Sequence, residues 1–182
     1  MTPELSPEFT EKLKNIRLLL LDVDGVLTDG KLYFSEDGQE AKSFNTLDGH
    51  GIKMLKKSGV EVGIITGRTS QLVARRAKDL GINLLIQGRE DKFVALQEIL
   101  TEFPCELQQI AFMGDDYPDL AVMTQVGLAF TVPNAVMPVL QRAHWQSQRQ
   151  GGEGAVREAC DIIMQAQNTF ETALAPYLKA SS

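Results

Sequence analysis

The amino-acid sequence predicts an α/β fold: a doubly wound parallel sheet, Rossmann-like, in a single domain over residues 1–182 with an inserted β-hairpin and no cap domain. Three observations predict it. The apolar runs are short and nearly unbroken, as in strands buried on both faces of a parallel sheet. They alternate with amphipathic helical patterns, and the connections between them are short.

The elements follow in order. Residues 16–21 are almost all Ile and Leu and read as the first strand. Residues 31–44 (KLYFSEDGQEAKSF) carry Glu36-Asp37-Gly38 between two short runs, a β-hairpin placed after the first strand and before the first helix. A helix over 51–58 stops at Gly59, and a strand follows over 60–65. The next helix, 70–80, runs from an N-capping Ser70 to Gly81. A strand at 83–86 leads to a helix at 91–103, ended by Pro104. The strand at 109–113, a helix at 118–124 with Pro118 in its first turn, and a strand at 128–132 complete the core. A segment over 148–154, with Gly151, Gly152 and Gly154, then reads as a linker to a helical tail from about 155 to 178.

Composition narrows the function. A hydrophobic content of 43% and a charged content of 23% are those of a globular chain. Net charge is −6, and no stretch gathers Lys and Arg, which argues against a nucleic-acid partner. No apolar run approaches the roughly 20 residues of a membrane span. The charged N-terminus has no signal-peptide core, and Cys105 and Cys160 are far apart, so a cytoplasmic protein with free thiols is expected.

The chemistry lies where polar residues end the strands, along one edge of a parallel sheet. Asp22 and Asp24 follow the first strand in LLLDVDGVLTDG, with Gly25 permitting a sharp turn. Carboxylates this close repel unless a cation holds them or one takes a proton. In VGIITGRTS, the Thr66 hydroxyl and the turn's N–H groups suit a phosphate oxygen. Lys92 stands in the first turn of its helix, where opposing the helix dipole costs about 0.3–1 kcal/mol unless the ammonium meets an anion. Asp115 and Asp116 follow the fourth strand in AFMGDDYPDL, hard oxygen ligands that suit Mg²⁺. His50, read as a loop residue, and His144 are isolated, so no zinc site competes. Together these groups fit phosphoryl transfer through an aspartate.

In DVDGVLTDG, TGR, the Lys of REDK and GDDYPD, in that order, nearly the whole chain resembles the haloacid dehalogenase superfamily. The resemblance implies a Mg²⁺-dependent phosphatase with Asp22 as nucleophile and Asp24 as acid and base. It puts the metal on Asp22, the Asp24 backbone carbonyl and Asp115, with Asp119 supporting it through water. Thr66 and Lys92 would neutralise the phosphoryl oxygens.

More closely, the chain is similar to the branch acting on 3-deoxy-D-manno-octulosonate 8-phosphate, on FNTLDGHGI, the TGR run followed by Arg75-Arg76, and GGEGAVREACDIIM. That likeness implies substrate contacts at Asp24, Asn45, Thr46, Leu47, Asp48, Gly49, Arg68, Arg76 and Lys92. Lys53 stands where the branch usually has Arg, and a lysine cannot make the same bidentate contact. Phosphatases of sialic-acid-type sugar 9-phosphates share much of the pattern and are the alternative. The likeness also implies a homotetramer with paired hairpins, acting in lipopolysaccharide biosynthesis.

Spacing adds an independent expectation. A strand and a helix already fill the interval from Thr66 to Lys92, so no cap fits there, and the hairpin is too small to cover the site. An uncapped site must accept a large substrate or borrow a wall from a neighbour, and the glycine segment with its tail is expected to close over a neighbouring subunit's site. A receiver domain of a signalling relay is the rival from another class. Its phospho-acceptor comes mid-chain and its Lys last, unlike the order here.

Overall fold

A computed structural model describes residues 6–178. Helix α1 (Pro7–Lys14) begins where Ser6 accepts a hydrogen bond from the Phe9 N–H and Pro7 occupies the first turn. The sequence reading missed it, because only Phe9 and Leu13 mark its apolar face. Leu13 is buried, and the Phe9 ring lies 6.3 Å from that of Phe130. Strand β1 (Leu18–Leu21) starts two residues later than predicted, since the Ile16 N–H still bonds the Leu13 carbonyl. Strands β2 (Tyr33–Phe34) and β3 (Glu40–Ala41) form the antiparallel hairpin, turned at Gly38 with φ 79°.

Helix α2 (Thr46–Lys57) begins five residues before the predicted start, with Asn45 accepting from the Leu47 N–H. Gly49 and Gly51 hid this first turn, being poor helix formers by propensity. Packing requires them: a Cβ at Gly49 would stand 2.3 Å from the Arg76 guanidinium, and one at Gly51 2.7 Å from Arg157 Cδ.

The chain continues through β4 (Glu61–Ile65), α3 (Gln71–Leu80), β5 (Leu84–Ile86), α4 (Lys92–Glu102) and β6 (Ile110–Met113). After a 3-10 turn (Tyr117–Asp119) come α5 (Leu120–Met123), β7 (Leu128–Thr131), α6 (Met137–Leu140) and β8 (Trp145–Gln146). Helices α7 (Ala155–Ala166) and α8 (Phe170–Leu178) finish the described chain. The expected single tail helix is broken at Asn168, which has φ 57°. Residues 1–5 and 179–182 of the predicted domain and tail lie outside the described residues.

The main sheet has six parallel strands in the order β5-β4-β1-β6-β7-β8. From β1 the chain steps one way to β4 and β5, then crosses to β6, β7 and β8 on the other side. Right-handed crossovers therefore put α2 and α3 on one face and α4 and α5 on the other. The order reverses at β1, so a crevice opens beyond the carboxyl ends of β1, β4 and β6.

The core does not end near residue 132 as expected. Strand β8 adds a sixth strand, and α7 packs on α2 and α1 with Val156, Ala159, Cys160, Ile163 and Met164 buried. No described helix is long and apolar enough to cross a membrane.

Candidate active site

Asp22 directly follows β1, and its N–H extends the ladder to the Met113 carbonyl at 3.0 Å. Thr66 follows β4 and is buried; Asp115 follows β6 after Gly114. Gly114 is required because a Cβ there would meet the Asp119 side chain at 2.5 Å. Asp119 folds beneath the turn, and its Oδ2 accepts from the N–H groups of Asp115 (2.9 Å) and Asp116 (3.1 Å). The Thr131 hydroxyl donates to the Gly114 carbonyl from the next strand.

Asp22, Asp24, Thr66, Arg68, Lys92, Asp115 and Asp119 thus line one open cavity of about 610 Å³. Among the described residues, carboxylate oxygens of Asp22, Asp115 and Asp119 lie within 4.8 Å of one another. The Lys92 ammonium meets Asp22 at 2.8 Å and Asp119 at 2.6 Å, so the predicted dipole penalty is offset by two anions. Burial alone would lower the Lys92 pKa, but these carboxylates outweigh it and the ammonium is held charged.

One lysine cannot balance three carboxylates. Burial, then the Asp119 charge, pushes Asp22 up to about 7. Burial, then Asp22 and Asp119, pushes Asp115 up to about 8. Asp115 Oδ1 is buried with no hydrogen-bond partner. When all are ionised, these groups carry two uncompensated negative charges around an unsatisfied oxygen, the match for a divalent cation with hard oxygen ligands.

Asp119 lies in the cluster with both oxygens bonded, Oδ1 to Lys92 and Oδ2 to the two turn N–H groups. Asp116 stays out of it: its side chain accepts from the Tyr117 N–H and caps the 3-10 turn. The Asp24 carboxylate also points elsewhere, pairing with Lys42 and, at 3.9 Å, with Arg68.

The remaining predicted contacts fall outside the cavity lining. Asp48 is buried, and its Oδ1 accepts from the Arg157 N–H at 2.8 Å, capping α7, whose own N-cap is Gly154. It is a structural cap, and burial raises its pKa to about 6. Gly49 makes room for Arg76, which donates to the Asn45 carbonyl and lies over the Phe44 ring. Thr46, Leu47 and Lys53 are exposed on α2. His50 is in α2 rather than a loop, 5.0 Å from the Tyr177 ring, and His144 accepts from the Ala129 N–H.

The glycine segment is a brace, not a linker. A Cβ at Gly151 would stand 1.7 Å from the Gly25 carbonyl oxygen, and the Gly152 N–H bonds the Val26 carbonyl at 3.0 Å. Asn134 accepts from the Gly151 N–H and reaches the Gly25 carbonyl; Asn45 donates to the Gly152 carbonyl. Residues 151–152 thus pack against the chain's own Gly25 loop. Asn134 and these contacts were invisible in sequence, since no local pattern joins positions so far apart.

An aspartate triad with one lysine at the switch point of a parallel sheet is the arrangement of a metal-assisted phosphoryl-transfer site. A family model for haloacid dehalogenase-like hydrolases matches residues 85–158. The 3-deoxy-D-manno-octulosonate 8-phosphate phosphatase KdsC of Yersinia pestis is 46% identical over 93% of this chain and 90% of its own. The Moraxella catarrhalis phosphatase of that name, solved with magnesium, phosphate and KDO, is 42% identical with a TM-score of 0.90 over 92% of this chain and 97% of that one. The cobalt-bound Haemophilus influenzae phosphatase (YrbI) is 38% identical with a TM-score of 0.87 over 92% of this chain and 99% of that one. The chain belongs to the 3-deoxy-D-manno-octulosonate 8-phosphate phosphatase family of haloacid dehalogenase-like hydrolases.

Proposed function

We propose that this protein is a Mg²⁺-dependent phosphatase that hydrolyses 3-deoxy-D-manno-octulosonate 8-phosphate to the free sugar acid and phosphate, in lipopolysaccharide biosynthesis. The observation that carries the reading is the Asp22, Asp115 and Asp119 triad held around Lys92 with one oxygen of Asp115 unsatisfied. Asp22, Asp115 and the Asp24 backbone carbonyl hold the cation, supported by Asp119. When bound, Mg²⁺ cancels the repulsion between carboxylates and phosphate and polarises a phosphoryl oxygen.

Asp22 attacks phosphorus in line, forming an O–P bond as the bond to the sugar oxygen breaks. Asp24 gives the departing alkoxide a proton, and then takes one from the water that hydrolyses the aspartyl-phosphate. The Thr66 hydroxyl and Lys92 ammonium stabilise charge on the equatorial oxygens. Arg68, at the mouth, meets the sugar acid. Thr46, Leu47 and Lys53, exposed on α2, remain candidates for sugar contacts outside the cavity, as do Asn45 and Arg76.

The chain works as one domain over residues 1–182, in the cytoplasm, as a homotetramer. Support for assembly comes from the hairpin, where Leu32, Tyr33 and Phe34 are exposed on short strands whose edges pairing would cover. Any wall lent to a neighbouring site comes from chain beyond α7, because residues 151–152 and α7 are packed in their own subunit.

The test is a panel of phosphorylated sugars with phosphate release as readout. The highest kcat/KM is expected for the octulosonate 8-phosphate. Preference for a sialic-acid-type 9-phosphate under matched conditions would replace the substrate assignment.

A further inference from the structure

Lys42 directly follows strand β3 and stands two residues after Glu40, the spacing that sends side chains to one face of an extended chain. That face meets the active site. The Lys42 side chain is only 1% exposed, and its ammonium pairs with Asp24 Oδ1 and, at 3.4 Å, with Glu40. Arg68 closes the ring, reaching Glu40 at 3.2 Å and Asp24 Oδ2 at 3.9 Å. Asp24 therefore has a cation at each oxygen, Lys42 in direct contact with Oδ1 and Arg68 at 3.9 Å from Oδ2.

Burying a lysine ammonium is costly unless it is paired, and here the pairing is made across the inserted hairpin. Asp22 is held differently, by the Lys92 ammonium 2.8 Å from its Oδ1. Asp24 follows Val23 into the Gly25 turn, and the Asp24 side-chain bonds in the structure run to the Lys42 and Arg68 side chains.

We propose that Lys42 is a positioning residue for this reaction: the hairpin delivers its ammonium to Asp24 and holds that carboxylate in line for proton transfer. The hairpin then has a role inside its own subunit besides any in assembly. This inference rests on the reading of Asp24 as the acid and base.

The experiment is a double-mutant cycle with Mg²⁺-loaded enzyme on the sugar phosphate, using Lys42→Met, Lys42→Arg, Asp24→Asn and the Asp24→Asn/Lys42→Met pair, each with melting and oligomer state verified. Lys42→Met is expected to lower kcat about 10- to 100-fold, as for a misplaced proton-transfer group. KM and the Mg²⁺ concentration for half-activation should change little. Lys42→Arg should recover part of the loss, and Lys42→Met should cost nothing further in the Asp24→Asn background, since both act through one group. Wild-type kcat in Lys42→Met, or losses that multiply in the pair, would overturn the proposal. Should Lys42→Met fail to fold, Lys42→Gln and its pair with Asp24→Asn decide: a wild-type kcat in Lys42→Gln, or losses that multiply in that pair, overturns it. Full activity in Asp24→Asn would instead bring down the role of Asp24 itself.

Discussion

Replacing Gly151 with alanine tests whether a remote glycine holds the Asp22–Gly25 loop in place. Gly151 is not among the residues with positive φ, so alanine meets no backbone strain there. The obstacle is contact: its Cβ would stand 1.7 Å from the Gly25 carbonyl oxygen and 2.5 Å from the Gly25 carbonyl carbon. Both are backbone atoms, and neither can swing aside as a side chain would. Ordinary contact begins at 3.4 Å, so the two backbones must part by about 1.7 Å. Gly25 itself sits against Asp115, since a Cβ there would lie 2.1 Å from Asp115 Oδ2, so the displacement reaches the triad. Overpacking of this kind costs about 1–3 kcal/mol, and a shift of about 1 Å in reacting groups can cost about 10²-fold in rate. Gly151→Ala is therefore expected to lower kcat about 10- to 100-fold while the protein still folds. Gly81→Ala is the control: with φ +70° and nothing within 4 Å, it should cost about 1–2 kcal/mol of stability and leave kcat unchanged. Steady-state kinetics and thermal melting of both variants make the comparison. A kcat within about twofold of wild type in folded Gly151→Ala would refute the brace.

Asp22→Asn should abolish turnover without loss of fold, because an amide of nearly equal size cannot attack phosphorus; phosphate release near the wild-type rate would sink the covalent route. Metal-free protein should lose stability as pH rises from the ordinary carboxyl range through about 7 and about 8, since Asp22 and Asp115 bind protons more tightly folded than unfolded. Mg²⁺ replaces those protons, so the melting-temperature gain on adding it should widen with pH over that window, and a gain independent of pH would contradict the assignment. Asp48→Ala should cost about 1–2 kcal/mol by uncapping α7, with KM little changed; a large KM effect at unchanged stability would return Asp48 to the substrate. Removing the chain after Asn168 should leave the fold intact but alter kcat or KM on the sugar phosphate more than on a small aryl phosphate, whereas unchanged kinetics would leave α8 a purely structural helix. Truncation after Gln148 should unfold the protein, because it strips α7 from the core.

The alternation of apolar runs with capped helices was enough to define the sheet class, because strand burial and helix periodicity are written locally. The candidate site was legible for a related reason: Asp22, Thr66 and Asp115 each end an apolar strand, and a parallel sheet brings such ends to one edge whatever the side chains elsewhere. Lys92 was legible as an anomaly, a cation at the wrong end of a helix. Tertiary structure decided what depends on partners distant in sequence. Asp48 looked like part of a substrate loop until α7 supplied an N-terminus for it to cap. Gly151 and Gly152 looked like a linker because glycine reads as freedom, yet these two are glycine so that one backbone can lie against another. Helix α7 looked detached because its partner α2 lies about a hundred residues earlier. Lys42 carried no signal beyond its spacing from Glu40, since a charge on a short hairpin is ordinarily solvated, and only the folding of that hairpin over Asp24 gives it a partner.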